Sequence, residues 1–466
     1  MRQAAIRRAL PRTLATYNAV LGLRPLAVLR ELLRQPLSVW SLYIYVFFEY
    51  VRPQTIYPGI DVLPWAQIAL VVAVLSALNS ELKKRRWMIL DTGIAMYSLV
   101  VLASLLTAFD PGTGWDGLDV YFSWVLVYFA LSCTVNTSVR MILLLVGWLL
   151  WNLKMSLHGF TSWASIGFAF RDWGVTGAPG WFENSGEFGI EMCVVFPISL
   201  YFALGVRRQV SRAVFLLLLV LPFTAVTGAI ASSSRGALVG MAAIAVWMLA
   251  RSRYKVRGLL VLAAAAGLVF AFVPPEQRAR LSAAGDDGTS MSRLVYWKRG
   301  IEFANSRPLL GVGYRNWIPV YRYVWGGRLE QGERIQLPHN FAIEALSELG
   351  YTGLLALLFL LIGSFVVNAR TRRLARRLGR DGELAENLGW GFDGGLIGFI
   401  VSGSFVTVLY YPYLWVNLAM TAALHLSVRR TLAAVAVASR DGPATTFASQ
   451  HGSQPRERSR PAESAL

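Results

Sequence analysis

Runs such as FLLLLVLPFTAV (215–226) and GLLALLFLLIG (353–363) are apolar on every side, and runs of that kind recur from Leu37 almost to Val428. Inside hydrocarbon such a segment must satisfy its own backbone N–H and C=O groups, which leaves two solutions, the helix and the closed barrel. Barrel strands are short and alternate apolar with polar residues, and these runs do neither. A bundle of spanning helices is therefore expected, each taking about 20 residues to cross a core of roughly 30 Å. The composition agrees: 55% apolar residues, 15% charged and a mean hydropathy of +0.47 describe an integral membrane protein, not a water-soluble domain of this length.

Taken in order, the runs predict twelve spans, near residues 37–51, 62–80, 88–107, 118–135, 139–157, 186–205, 213–231, 236–250, 258–274, 340–364, 389–410 and 412–428. The net charge of +18 is spread between them in clusters. With an arginine-rich N-terminus in the cytoplasm, the even-numbered connections are cytoplasmic too, and they read ELKKRRW, NTSVR, RRQVSR, RSRYKVR and RTRRLARRLGR. The short outer connections DPGTGWDGLD and YYPYL hold no Lys or Arg. This is the positive-inside pattern, and it accounts for the basic charge without nucleic acid.

The expected organisation is a basic cytoplasmic N-terminus (1–36), helices 1–9 over 37–274 with an outer loop at 158–185, and a long periplasmic loop at 275–338. Helices 10–12 over 339–428 and a disordered cytoplasmic tail (429–466), polar and proline-containing, complete it. Seven arginines precede Leu37 and no small-residue cleavage site follows a short apolar core, so the first span is expected to be a retained signal anchor. Cys133 and Cys193 both lie in apolar runs, which predicts buried, inert thiols and no disulfide framework.

Chemistry-bearing residues gather on the predicted outer side. The segment from Pro274 to Pro338 carries ten basic residues against six acidic, and an anionic ligand or anionic lipid headgroups would each suit that balance. Within it, SRLVYWKRGIEFANSRPLLGVG repeats Leu294, Trp297 and Ile301 at helical spacing with Arg293, Lys298 and Arg299 interleaved. That pattern predicts an amphipathic helix lying along the membrane surface. Arg235, in ASSSRGALVG, stands where a guanidinium needs an anionic partner, water, or a reach to the headgroups. His339 opens the tenth span behind Pro338, where a neutral imidazole can take and pass a proton near neutral pH; the alternative is a structural helix cap. Asn340 is placed to orient that ring or a ligand, and Glu348 to fix packing or an arginine. No Cys or His pairs stand at metal spacing, and neither a GxxxxGK[ST] loop nor a GxSxG elbow is present. The acidic pair in DDG (286–288) reads as a flexible turn before it reads as a divalent-ion site. Neither metal nor cofactor is expected.

ASSSRGALVG, then SRLVYWKRGIEF, then the outer loop ending LPHNFAIEALSELGYTGLL, in a chain of about twelve spans, resemble the bacterial O-antigen ligase and polymerase superfamily of lipid-linked oligosaccharide ligases. The likeness is strongest from Gly180 to Leu361, and GWFENSGEFGIEMCVVFP is similar to the family's outer-loop-to-helix junction. The resemblance implies a C-type membrane glycosyltransferase fold with the active site facing the periplasm, in the inner membrane. It maps the family's catalytic residues onto Arg235, Arg293 and His339, and makes Lys298, Arg299, Arg315 and Asn340 candidates for phosphate or sugar contacts.

It further implies a preassembled glycan donor on undecaprenyl pyrophosphate and a hydroxyl acceptor on lipid A core or a protein, without a metal. In that reading the arginines bind pyrophosphate as its charge grows and His339 is the general base. A polymerase, whose acceptor is another lipid-linked repeat, uses similar chemistry. A transporter or flippase would instead bury charge near the midplane on interrupted helices, whereas here the distinctive charges cluster at one face.

Overall fold

The computed structural model describes residues 17–80, 85–169, 174–252, 254–272, 288–327, 329 and 334–440. Each predicted apolar run is a helix: α1 (Leu37–Tyr50), α2 (Trp65–Ser80), α3 (Ile89–Leu106), α4 (Leu118–Thr134), α5 (Ser138–Ser165), α6 (Ser185–Val206), α7 (Arg212–Ala231), α8 (Arg235–Arg251) and α9 (Lys255–Phe272). Two helices, α10 (Gly288–Ser306) and α11 (Trp317–Trp325), lie in the long loop, and α12 (Phe341–Arg376), α13 (Glu383–Gly403) and α14 (Pro412–Arg440) follow. Among the described residues there is no strand, and α3, α5, α6, α7, α12 and the segment Pro111–Thr134 are long and apolar enough to cross a membrane. This is an all-α polytopic membrane protein.

Several boundaries differ from the sequence reading. Helix α5 runs on to Ser165, so the outer segment after it is shorter than 158–185. Helix α14 runs to Arg440, which makes the first part of the predicted tail helical; 441–466 lie outside the described residues, as do residues 1–16 and both aspartates of DDG.

Polar contacts between connections sort the helix ends into two faces. On one, Arg208 pairs with Glu383 at 3.4 Å, Tyr17 donates to the Asp381 carbonyl, and Arg430 donates to Asn136 Oδ1 at 2.7 Å. These are the basic connections. On the other, Asn316 bonds the backbone of Asp110, Arg307 reaches the Thr107 carbonyl, and Trp181 Nε1 donates to Glu49 Oε2 at 2.5 Å.

The bundle's core seam is α6 against α13. Gly391, Gly394, Gly395 and Gly398 lie along it, and a Cβ at Gly398 would meet the Cys193 carbonyl oxygen at 2.8 Å. Small residues let two backbones approach this closely, and lipid-embedded helices depend on such packing because water exclusion gives them little. Both cysteines are free and buried.

The long loop forms a folded unit with an aromatic core of its own, made by Tyr296, Phe303, Val312, Trp317, Val320 and Tyr321. Trp317 stacks on Tyr321 with ring centroids 5.6 Å apart. Helix α10 gives this core Tyr296 and Phe303, and its Leu294 and Ile301 point outward, 53% and 43% exposed. Two of the three residues in the predicted apolar stripe thus face away from the protein, as in a helix laid against a membrane surface, while the opposite face is the packed one.

Helix α12 is broken once, at Gly350, whose φ of +69° and ψ of −170° no helix contains. The loop fills the break. Val312 N–H donates to the Ser347 carbonyl at 2.9 Å, Gly313 N–H to the Glu348 carbonyl at 3.0 Å, and Tyr351 N–H to the Pro308 carbonyl at 2.8 Å. A Cβ on Gly350 would lie 2.6 Å from the Pro308 oxygen, so both the dihedral and the space call for glycine here. The result is a half-helix, 341–349, joined to the loop unit.

Candidate functional site

The serine run before Arg235 is a turn built by its hydroxyls. Ser232 Oγ donates to the Ala229 carbonyl at 2.7 Å, Ser233 takes a left-handed φ of +52°, and Ser234 Oγ accepts from Ala237 N–H at 3.3 Å as the cap of α8. Arg235 is the first residue of that helix and is half-buried. The residue behind it, Gly236, packs on Phe405, in the short connection 404–411 between α13 and α14.

His339 stands on the other side of this same connection. Its backbone N–H donates to Thr407 Oγ1 at 2.8 Å, and its φ of +49° is a conformation a non-glycine residue adopts at a cost. Asn340 then caps α12, its Oδ1 accepting from Ala342 and Ile343 N–H at 2.9 and 3.1 Å. Trp297 Nε1, on α10, donates to the Pro338 carbonyl at 3.1 Å and ties Arg293's helix to the segment ahead of His339. Arg293 is half-buried, and its charge acts on the imidazole: burial first, and then this guanidinium, hold His339 below its usual value of 6.5. At neutral pH the ring is neutral and able to accept a proton.

A third helix starts at the same place. Asn184 and Glu187 form a reciprocal cap on α6, and Tyr411 donates to Glu187 Oε1 at 3.0 Å. A Cβ on Gly186 would lie 3.4 Å from Val406 and 3.9 Å from Ser234 Oγ. The N-termini of α6, α8 and α12 therefore surround the 404–411 connection, each bringing the positive end of a helix dipole. Arg235 opens one of these helices, and Arg293 acts on His339 from α10. Two carboxylates meet the same connection, Glu187 through Tyr411 and Glu344 through the Leu409 N–H at 3.3 Å.

The remaining predicted contact residues are distributed differently. Lys298 is exposed on α10. Arg299 lies over Trp325, its guanidinium carbon 3.3 Å from the ring centroid, and pairs with Glu302 at 3.5 Å. Arg315 is exposed, with its guanidinium against Gly117, and its backbone N–H donates to Glu348 Oε2 at 2.9 Å. Glu348 also accepts from Trp317 N–H, so its carboxylate fixes the start of α11, in keeping with a packing role. Among the described residues no group of three His, Cys, Asp or Glu side chains is gathered as a metal would require.

Sequence reading alone does not pick out Thr407, Glu187 and Tyr411. The cap formed by Asn184 and Glu187 has a local signature, an Asn followed three residues later by Glu. Thr407 and Tyr411 have none, since only the folded bundle brings their connection to His339.

Residues 216–358 match a family model described as O-antigen ligase, and all seven predicted site residues fall in that interval. The chain is also 37% identical over 90 residues to the exopolysaccharide production protein ExoQ of Rhizobium meliloti (strain 1021), a match covering 18% of this chain. It spans 20% of that relative's length.

Proposed function

We propose that this chain is a membrane glycosyltransferase of polysaccharide biosynthesis in the O-antigen ligase and polymerase superfamily, a reading supported by the match of residues 216–358 to the O-antigen ligase family model. The donor is a preassembled glycan on undecaprenyl pyrophosphate, and the acceptor is a hydroxyl of lipid A core or of a protein, at the periplasmic face of the inner membrane. The acceptor oxygen attacks the anomeric carbon. The bond from that carbon to the pyrophosphate oxygen breaks, the lipid pyrophosphate leaves with the electron pair, and the acceptor proton passes to His339.

Arg235 and Arg293 offset the charge that develops on the leaving group, where fixed donors act most strongly. Guanidinium offers a planar fork to phosphate oxygens, so the reaction proceeds without a divalent ion. Attack opposite the leaving group inverts the anomeric centre. Lys298 adds a solvent-side charge; Arg299 and Arg315 take part only by leaving Trp325 and Gly117.

The observation that supports this reading best is the meeting of three helix N-termini, one of them opened by Arg235, and a neutral imidazole around one connection, with Arg293 acting on that imidazole. Its test is reconstitution of the full chain with a defined lipid-linked oligosaccharide and candidate acceptors, in the presence of a chelator, with product mass and anomeric configuration as readouts. Transfer that needs an added divalent ion would defeat the arginine clamp.

The likeness to an exopolysaccharide production protein favours a second reading, extension onto another lipid-linked repeat. The same reconstitution separates the two. Polymerase action lengthens carrier-bound chains with no terminal acceptor, whereas ligase action depletes the carrier-bound pool only when acceptor is supplied.

The reading also fixes a pH profile. An imidazolium cannot take the acceptor proton, so transfer rises with pH through the His339 pKa, which burial and Arg293 hold below 6.5, and levels above it. Arg293→Gln removes one of the two causes and moves the rising limb to higher pH. A limb that stays in place while the rate falls would assign Arg293 to the leaving group alone.

A further inference from the structure

At the other end of α12 from His339, on the face of the basic connections, helix ends surround a cavity of about 540 Å³ lined by Arg85, Arg86, Arg377, Arg429 and Arg430, with Asn136 in its wall. The volume falls among pockets that hold small ligands, roughly 300–1,000 Å³. One of the five charges is already balanced: Arg85 Nη2 lies 2.5 Å from Asp91 Oδ1, with both side chains almost fully buried. Arg430 is oriented by Asn136, to whose Oδ1 it donates at 2.7 Å. Among the described residues no carboxylate lines the cavity, and Leu374 and Leu426 give it an apolar side.

Arginines at helix C-termini complement the helix dipole, but dipole complementation alone would be met by single side chains spread over the surface. Here guanidinium groups from the approach to α3, the end of α12 and the second half of α14 converge on one half-open pocket. Like charges brought together repel, and an anion between them relieves that repulsion. Planar guanidinium forks in this number match phosphate oxygens.

We propose that this cavity binds a phosphate-bearing anion, either the headgroup of an anionic phospholipid or a soluble phosphate compound. The site is separate from the candidate active site and does not rest on the glycosyltransferase reading. Phosphate oxygens take the charge of Arg86, Arg377, Arg429 and Arg430, and the leucine side accommodates the start of an acyl chain where the source is a lipid.

The test uses the full chain in nanodiscs of zwitterionic lipid, titrated with phosphatidylglycerol in one arm and with inorganic pyrophosphate in the other. Lipid retention by native mass spectrometry and thermal shift report binding. The double variants Arg429→Gln/Arg430→Gln and Arg86→Gln/Arg377→Gln each bind about 30-fold more weakly, since each removes two of the cationic contacts. Arg208→Gln, on the same face but outside the cavity, binds as the wild type does. Exposed Arg86 and Arg377 can be replaced without touching the bundle core. Binding of lipid alone identifies a headgroup site, binding of pyrophosphate alone a soluble ligand, and binding of both a site that reads phosphate charge. Absence of binding in both arms, or binding undiminished in both double variants, overturns the proposal.

Discussion

His339→Ala should lower glycan transfer by roughly 10² to 10⁴-fold, the usual contribution of a positioned general base. The fold should survive the change. What holds residue 339 in place is its backbone N–H on Thr407 Oγ1, together with the Asn340 cap and the Trp297 bond to the Pro338 carbonyl, and none of these uses the imidazole. The φ of +49° belongs to the segment and would be imposed equally on alanine. His339→Asn is a useful companion, because asparagine tolerates the left-handed region well yet offers no base in this pH range. Both variants should elute as the wild type does on size exclusion and lose transfer alike. Either one retaining transfer within tenfold of the wild type would remove the imidazole from the reaction.

Asp393→Ala should destabilise the bundle by about 3–5 kcal/mol, the range seen when one partner of a buried ion pair is removed. Arg372 on α12 sits 2.5 Å from Asp393 Oδ2 on α13, with side chains only 7% and 4% exposed. Asn368 Nδ2 donates to the other carboxylate oxygen at 2.9 Å, and the guanidinium lies 3.6 Å from the centroid of the Trp390 ring. Without the carboxylate, a guanidinium is stranded between two helices. The double variant Arg372→Leu/Asp393→Leu should recover much of the loss, because desolvating the pair offsets most of its attraction. Thermal unfolding in one detergent measures all three proteins. A single variant no less stable than the double one would mean that Arg372 finds water or another partner.

Apolar runs are legible because the hydrocarbon core sets their length, and each predicted span overlaps a helix, although the run at 389–410 is helical only to Gly403 and its last residues form the 404–411 connection. Their ends are less so. Nothing in the run up to Ser165 marks where the membrane stops, and α5 carries on past residue 158. The long loop is half legible. Its helical period picked out Leu294 and Ile301, which are exposed, whereas the packed face is made of Tyr296 and Phe303 against Trp317 and Tyr321 of a neighbouring helix. An amphipathic pattern reports two apolar faces poorly when one meets protein and the other lies outward. Arg235, Arg293 and His339 stand out as charged or titratable groups beside apolar runs; the fold sets the start of Arg235's helix and His339 against the 404–411 connection, and ties Arg293's helix to Pro338. The carbonyl oxygen of Asn340 caps α12, as that of an asparagine ahead of a helix commonly does.

The interruption at Gly350 has a mechanical effect. A continuous helix transmits its tilt along its whole length, so a terminal residue moves when the bilayer becomes thicker or thinner. In α12 the loop holds both sides of the break: Val312 and Gly313 bond the carbonyls of Ser347 and Glu348 ahead of the glycine, and Pro308 and Leu309 accept from Tyr351 and Thr352 just past it, while His339 is bonded to Thr407. The half-helix that begins beside His339 thus takes its orientation from the loop unit as well as from the bilayer.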